Sequence, residues 1–152
     1  MNYELPHIPK RPSKPRKEGM TMMMDKGLSI RQAEDFLEQN VDLVDYIKLG
    51  FGTSYMTKKL QEKIDLYKEA GLIVYLGGTL FEAYLVRGMV DDFRKLLDQY
   101  KLECCEVSDG SIIIPHEQKL EYISKLAKDR TVMSEVGSKD AGIIISPAKW
   151  IK

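Results

Sequence analysis

The segment from Asp45 to Ser54, DYIKLGFGTS, places a charged side chain and a glycine turn at the end of a short apolar run. Lys48 lies near the end of that run, just before Gly50 and Gly52. Because burying an unpaired ammonium group is costly, Lys48 must reach a cavity, a carboxylate or a ligand. The glycines allow backbone N–H groups to approach a partner closely, and anions are the usual partners of such turns. The pattern therefore predicts either a strand-end ion pair or an anion site.

Similar strand ends recur along the chain at a regular spacing. Apolar runs end at Gly77 and Gly78, at Ser108, and before Ser138 and Lys139. Parallel strands joined by crossover helices give this rhythm, and functional residues of such folds collect at the carboxyl ends of the strands. The sequence predicts an α/β fold with about five parallel strands, because a complete barrel needs eight. It would be either a small open sheet or a (β/α)₈ TIM barrel truncated in its fifth helix.

Composition and charge restrict the class of protein. The 152 residues are 43% hydrophobic, which suits one domain with an ordinary core. The 23 basic and 23 acidic residues balance, which disfavours a nucleic-acid partner. No apolar run of ~18 residues is present and the first residues do not resemble a signal peptide, so membrane insertion and export are disfavoured. We therefore expect a cytoplasmic protein.

The first nineteen residues differ from the rest of the chain. Residues 1–19 contain four prolines and a cluster of basic side chains, which predicts an arm rather than a helix. This arm is either a solvated tail or a segment in which Arg11 or Arg16 folds over the mouth of the barrel to meet an anion. Residues 20–152 are predicted to form the partial barrel domain.

Glu82 has two interpretations. It follows Thr79 at the spacing of a capping box, so it could stabilise the amino terminus of a helix. Its position just after a predicted strand end is equally compatible with a catalytic role.

Six segments at the strand ends, taken together, resemble the phosphosulfolactate synthase family. They are KPRKEG from Lys14, DKGL from Asp25, DYIKLGFGTS from Asp45, GGTLFE from Gly77, EVSDG from Glu106 and SEVGSKD from Ser134. The resemblance implies a (β/α)₈ barrel that adds sulfite to phosphoenolpyruvate with Mg²⁺, giving (2R)-phospho-3-sulfolactate. Relative to the family pattern, the carboxyl-terminal third or more is missing from this chain.

The resemblance also implies roles for individual residues. Lys139 matches the lysine suggested as general acid in the family. Glu106 and Glu135 form the best pair for Mg²⁺, and Asp25 is a third candidate. Each of these carboxylates could instead be an ion-pair partner of Lys48 or Lys139.

The remaining candidates concern the negative charge of the substrates. Lys48 is expected to meet the carboxylate of phosphoenolpyruvate or sulfite, together with backbone amides around Gly78 and Thr79. Ser108 and Arg16 complete the predicted set of substrate-binding residues.

Two other functions stay open at this point. The chain could be a catalytically silent relative, either truncated or kept for stress tolerance. It could also be an aldolase-like barrel in which Lys139 forms a Schiff base. We further expect a homo-oligomer, because an uncovered fifth strand and the apolar run Ile143, Ile144 and Ile145 would favour self-association.

Overall fold

A computed structural model describes residues 5–137 of the chain. Parallel strands alternate with helices along this range, as the spacing of the apolar runs predicts. The strands are β1 (Met22–Asp25), β2 (Tyr46–Leu49), β3 (Ile73–Leu76), β4 (Cys104–Val107) and β5 (Thr131–Ser134). The helices are α1 (Ile30–Asn40), α2 (Leu60–Glu69), α3 (Gly78–Leu85), α4 (Val90–Gln99) and α5 (His116–Leu126), with 3₁₀ segments at Val41–Leu43 and Gly50–Met56.

The described strands form two hydrogen-bonded sheets. β1, β2 and β3 pair in that order, and β4 pairs with β5. β3 and β4 lie next to each other, but no hydrogen-bonded ladder joins them within the described residues. The parallel α/β architecture is thus present, and a single barrel wall of five strands stays a prediction.

The core lies between the strands and the helices that cross over them. Helical faces contribute Ala33, Leu37, Ile64, Phe93 and Leu97, all of which are buried. Aromatic rings extend this packing, since Phe81 contacts Phe93 with ring centroids 5.6 Å apart and an edge-on geometry. This layer fixes the helices and hence the loops that follow each strand.

Of two helix starts that the sequence suggests, one agrees with the structure and one differs. Ser29 caps α1 and forms a capping box with Gln32, as a Ser before the apolar stripe indicates. The capping box expected for Thr79 and Glu82 is wrong, because α3 begins at Gly78 with Gly77 as its N-cap. Glu82 therefore lies one turn inside the helix, where its side chain is buried and does not cap the helix.

The basic arm lies at the amino ends of the strands. Arg16 Nη1 contacts Asp45 Oδ1 at 2.9 Å and Arg11 Nη2 contacts Asp45 Oδ2 at 3.3 Å, and Asp45 directly precedes β2. Lys14 Nζ donates to the carbonyl oxygen of Val41 at 2.9 Å. The expectation that Arg16 reaches the mouth of the barrel is therefore corrected, because the nearly buried Asp45 carboxylate holds it at the opposite end.

Candidate active site

An ion pair between two strands is the starting point of the candidate site. Lys48 Nζ on β2 lies 2.8 Å from Glu106 Oε1 on β4. The Lys48 side chain is 14% exposed and that of Glu106 is 4% exposed, so the ion pair is largely buried. The strand-end ion pair predicted for Lys48 is thus confirmed, and Glu106 is its partner.

A second carboxylate crowds the first. Burial raises the pKa of Glu106, and the neighbouring Glu135 carboxylate adds to this effect, although Lys48 acts in the opposite direction. Burial and the second carboxylate together therefore outweigh the effect of Lys48 on Glu106, so the site favours the protonated form of Glu106 more than water does.

Ser108 connects Glu135 to a third carboxylate. Its hydroxyl oxygen lies 2.5 Å from Glu82 Oε1 and 3.1 Å from Glu135 Oε2. Glu82 Oε1 also accepts a hydrogen bond from the backbone N–H of Ser111 at 3.3 Å. Gly110 N–H in turn donates to the Ser108 hydroxyl oxygen at 3.2 Å. These contacts join α3, the loop after β4 and the residue after β5.

Gly78 allows α3 to approach this loop. A Cβ atom at Gly78 would lie 2.3 Å from Ser108 Cβ and 2.8 Å from Glu106 Oε1, distances that real Cβ atoms do not tolerate. The sequence therefore needs glycine here because of close approach. As a result, the first turn of α3, including Thr79, begins beside Ser108 and Glu106.

Lys119 fixes the position of the last strand end. Its buried ammonium group lies 2.7 Å from Asp109 Oδ1 and donates to the backbone carbonyl oxygen of Glu135 at 2.6 Å. Sequence reasoning missed this residue. Its spacing of four and seven residues from Ile123 and Leu126 places it on the buried face of α5 and could have revealed it.

Asp25, the third metal candidate, has all of its hydrogen-bonding capacity engaged. Oδ1 accepts from the N–H groups of Gly27 and Leu28, each at 2.7 Å. Oδ2 lies 2.9 Å from Lys63 Nζ and accepts from the Tyr67 hydroxyl at 3.0 Å. Burial alone would raise the pKa of Asp25, but these bonds and the Lys63 charge lower it. Asp25 is therefore placed as a structural ion-pair partner, and not as a residue with an oxygen to offer a metal.

Comparison with known proteins identifies the family of the chain. The family model for (2R)-phospho-3-sulfolactate synthase (ComA) matches residues 9–152. The chain belongs to the phosphosulfolactate synthase family.

Three curated relatives, each named phosphosulfolactate synthase, show the extent of the similarity. The Bacillus subtilis protein is 35% identical over 147 residues, which cover 95% of this chain and 58% of the relative. The Methanothermobacter thermautotrophicus protein is 38% identical over 136 residues (87% and 52%), and the Methanocaldococcus jannaschii protein is 41% identical over 125 residues (80% and 49%). The chain thus spans about half the length of the curated relatives it matches.

Several family expectations fall outside the described part of the chain. Lys139, Ser138 and the Ile143 to Ile145 run lie beyond residue 137, so their roles stay predictions. No helix within residues 5–137 is long and apolar enough to cross a membrane. The expected homo-oligomer also stays a prediction.

The residues present fit a Mg²⁺ ion, although no three His, Cys, Asp or Glu side chains within residues 5–137 surround one metal position. Mg²⁺ needs only one or two carboxylates, because it keeps water and substrate oxygens in its shell. The Glu82 and Glu135 carboxyl groups that contact Ser108 offer such oxygen ligands. Glu82 Oε2 is buried with no hydrogen-bond partner among the described residues. Glu106 and Glu135 remain the pair that the sequence favours.

Proposed function

We propose that this chain carries the catalytic strand ends of a phosphosulfolactate synthase. The reaction would be the Mg²⁺-dependent addition of sulfite to phosphoenolpyruvate, which gives (2R)-phospho-3-sulfolactate in a carbon–sulfur bond-forming lyase reaction. The observation that carries this proposal is the meeting of Lys48, Glu106, Glu135 and Ser108 in a member of this family. Because the chain spans about half of its relatives, its own activity is part of the proposal.

Both substrates are anions, so they need positive charge at the site. Lys48 pairs with Glu106, which also interacts with Glu135. The Lys48 ammonium group would therefore still attract the carboxylate of phosphoenolpyruvate. The first turn of α3, at Gly78 and Thr79, points backbone N–H groups toward the same region, where a helix amino terminus favours negative charge. Ser108, also predicted to bind substrate, lies beside this region and would orient the Glu82 and Glu135 carboxyl groups that it contacts.

The first step forms the carbon–sulfur bond and breaks the π bond of phosphoenolpyruvate. The sulfur lone pair of sulfite attacks the methylene carbon of phosphoenolpyruvate, and the π electrons move toward the adjacent carbon and its carboxylate. Lys48 stabilises the charge that develops on that carboxylate. A bound Mg²⁺ would supply Lewis-acid stabilisation of the same charge, with Glu135 as a proposed ligand.

A proton must then reach the carbon that bears the phosphate. We assign this step to Lys139, which matches the family's proposed general acid. An acid placed on one face of that carbon would set the (2R) configuration, since the proton arrives from a single side.

The proposal is tested by following phosphoenolpyruvate and sulfite by ³¹P NMR, with and without MgCl₂. Wild-type chain should form phosphosulfolactate only when sulfite and Mg²⁺ are both present. Lys48→Met should lower the rate about 10²-fold or more, whereas the exposed Lys59→Met should leave it unchanged. Absence of product with a folded chain would indicate the catalytically silent relative, and covalent trapping of pyruvate by borohydride would indicate the Schiff-base alternative.

A further inference from the structure

We infer that Glu82 is a cation ligand, and that Glu82 and Glu135 hold the metal ion across Ser108 while Glu106 stays paired with Lys48. This inference rests on the proposed function, because Mg²⁺ is the cation that the reaction requires. It assigns a role to Glu82 and removes Glu106 from the metal shell.

The first support is the unpartnered oxygen of Glu82. The residue is 3% exposed, and its Oε1 atom already accepts from Ser108 and Ser111. Its Oε2 atom is buried and has no hydrogen-bond partner within the described part of the chain. Buried acceptors are almost always satisfied in native proteins, because desolvation without a partner is costly. A cation bound beside Ser108 would supply the missing partner.

The second support is the hydrogen count at Ser108. A serine hydroxyl has one hydrogen to donate, yet its oxygen contacts both Glu82 and Glu135. The shorter contact, 2.5 Å to Glu82 Oε1, takes that hydrogen. The 3.1 Å contact to Glu135 Oε2 cannot use the same hydrogen, so Ser108 holds the Glu82 and Glu135 carboxyl groups close to one position without supplying charge to either. A cation at that position would bring positive charge to both carboxyl groups.

Glu106 is the weaker candidate, because its charge is already engaged by an ion pair. Its Oε1 atom lies 2.8 Å from Lys48 Nζ, and that ammonium group would repel a metal ion held beside it. Mg²⁺ commonly uses one or two protein carboxylates, so Glu82 and Glu135 suffice together with water and substrate oxygens. Lys119 supports the pair, because it binds the backbone carbonyl of Glu135 and fixes the strand end from which that side chain extends.

Mn²⁺ binding to the metal-free chain, measured by electron paramagnetic resonance without substrates, tests this assignment. We expect Glu82→Gln to weaken Mn²⁺ binding at least about tenfold, as loss of a ligand or its support does. Glu106→Gln and the exposed Glu62→Gln should stay within about threefold of wild type, because neither side chain contacts the ion. Circular dichroism checks folding, and Glu82→Asp, which keeps the charge but shortens its reach, serves if Glu82→Gln does not fold.

Each result decides the assignment. Wild-type affinity in a folded Glu82 variant, or no Mn²⁺ binding by wild type, would overturn it. A larger loss in Glu106→Gln than in Glu82→Gln would assign the metal to Glu106 and Glu135 instead. The NMR assay on the same samples separates this inference from the proposed function: product with unchanged Mn²⁺ affinity in Glu82→Gln refutes only the inference, and Mn²⁺ loss without wild-type product refutes only the function.

Discussion

Two buried groups of charged side chains stand at the carboxyl ends of the strands, and they differ in how well their charges are matched. The Asp25 cluster consists of Asp25, Lys63 and Tyr67, in which one carboxylate meets one ammonium group and a hydroxyl. The Ser108 cluster consists of Lys48, Glu82, Glu106, Ser108 and Glu135, in which Lys48 pairs with Glu106 and the Ser108 hydroxyl contacts both Glu82 and Glu135.

The pKa values follow the same contrast. Burial opposes ionisation in both clusters, but the bonds to Asp25 outweigh it and lower its pKa. At Glu106 burial and Glu135 together outweigh Lys48 and raise the pKa. Removing one partner of a buried ion pair is costly, and carboxyl groups with raised pKa values are candidates for functional sites.

The largest effect should come from breaking the matched pair. Lys63→Met leaves the Asp25 carboxylate buried without its cation, so we expect the free energy of unfolding to fall by ~3–5 kcal/mol. Lys59→Met is the control, since Lys59 pairs with Glu62 at the exposed start of the same helix and should cost ~0–1 kcal/mol. Urea unfolding followed by circular dichroism measures both. Equal losses in the two variants would show that the Asp25 cluster does not stabilise the fold.

The stabilisation by Asp25 should depend on pH in a defined direction. Because its pKa is lowered in the folded state, the stabilisation is present above the unfolded value of 3.8 and is lost as pH falls through the folded pKa. Asp25→Asn should therefore be much less stable than wild type at neutral pH, and the difference should shrink in acid. Unfolding curves between neutral pH and the acid transition check this. A difference that is constant with pH would contradict it.

A smaller effect is expected where the helix approaches the Ser108 cluster. Gly78→Ala places a Cβ atom 2.3 Å from Ser108 Cβ, so the loop must move and we expect a loss of ~1–3 kcal/mol. Adding Ser108→Gly removes the clashing atom and should recover part of that stability. If the two changes were additive in urea unfolding, the close approach would not be the cause.

The smallest effect on stability should come from Glu106. Glu106→Gln should change the free energy of unfolding by about 1 kcal/mol or less at neutral pH, because it removes an ion pair and a carboxylate repulsion together. Because the folded-state pKa of Glu106 is raised above 4.5, wild-type stability falls as pH rises from 4.5 through the folded-state pKa. Glu106→Gln lacks this loss, so its stability relative to wild type should increase over the same pH range. This trend is opposite to that of Asp25→Asn. Urea unfolding at several pH values in EDTA measures this pH dependence. If the stabilities of Glu106→Gln and Asp25→Asn, each relative to wild type, changed with pH in the same direction, the difference between the two clusters would be contradicted.

The parts of this arrangement that follow from local sequence could be predicted, and the long-range pairs could not. β2 and β4 end where the sequence predicts, because the short apolar runs there stop just before Gly50 and Ser108. Arg16 was expected at the wrong end, because its partner Asp45 is 29 residues away and no local signal marks it. Asp25 was expected as a metal ligand, and no local signal in the sequence indicates that it pairs with Lys63, which is 38 residues away.

Glu82 shows how a local pattern can mislead. Its spacing from Thr79 matches a capping box, but the close approach of Gly78 to Ser108 starts α3 at Gly78 and turns Glu82 into the interior. Only the tertiary structure brings its carboxylate to Ser108 and leaves Oε2 without a partner.

The most direct test of the difference between the two clusters is the free energy of unfolding as a function of MgCl₂ concentration. If the Ser108 cluster holds a cation, wild-type stability should rise with Mg²⁺, by ~1.4 kcal/mol at roughly ten times the dissociation constant. Lys63→Met should keep this response because Lys63 pairs with Asp25 and lies outside the Ser108 cluster, and Glu82→Gln should lose it. A wild-type stability that does not change with Mg²⁺, or an equal response in Glu82→Gln, would contradict the role given to the Ser108 cluster.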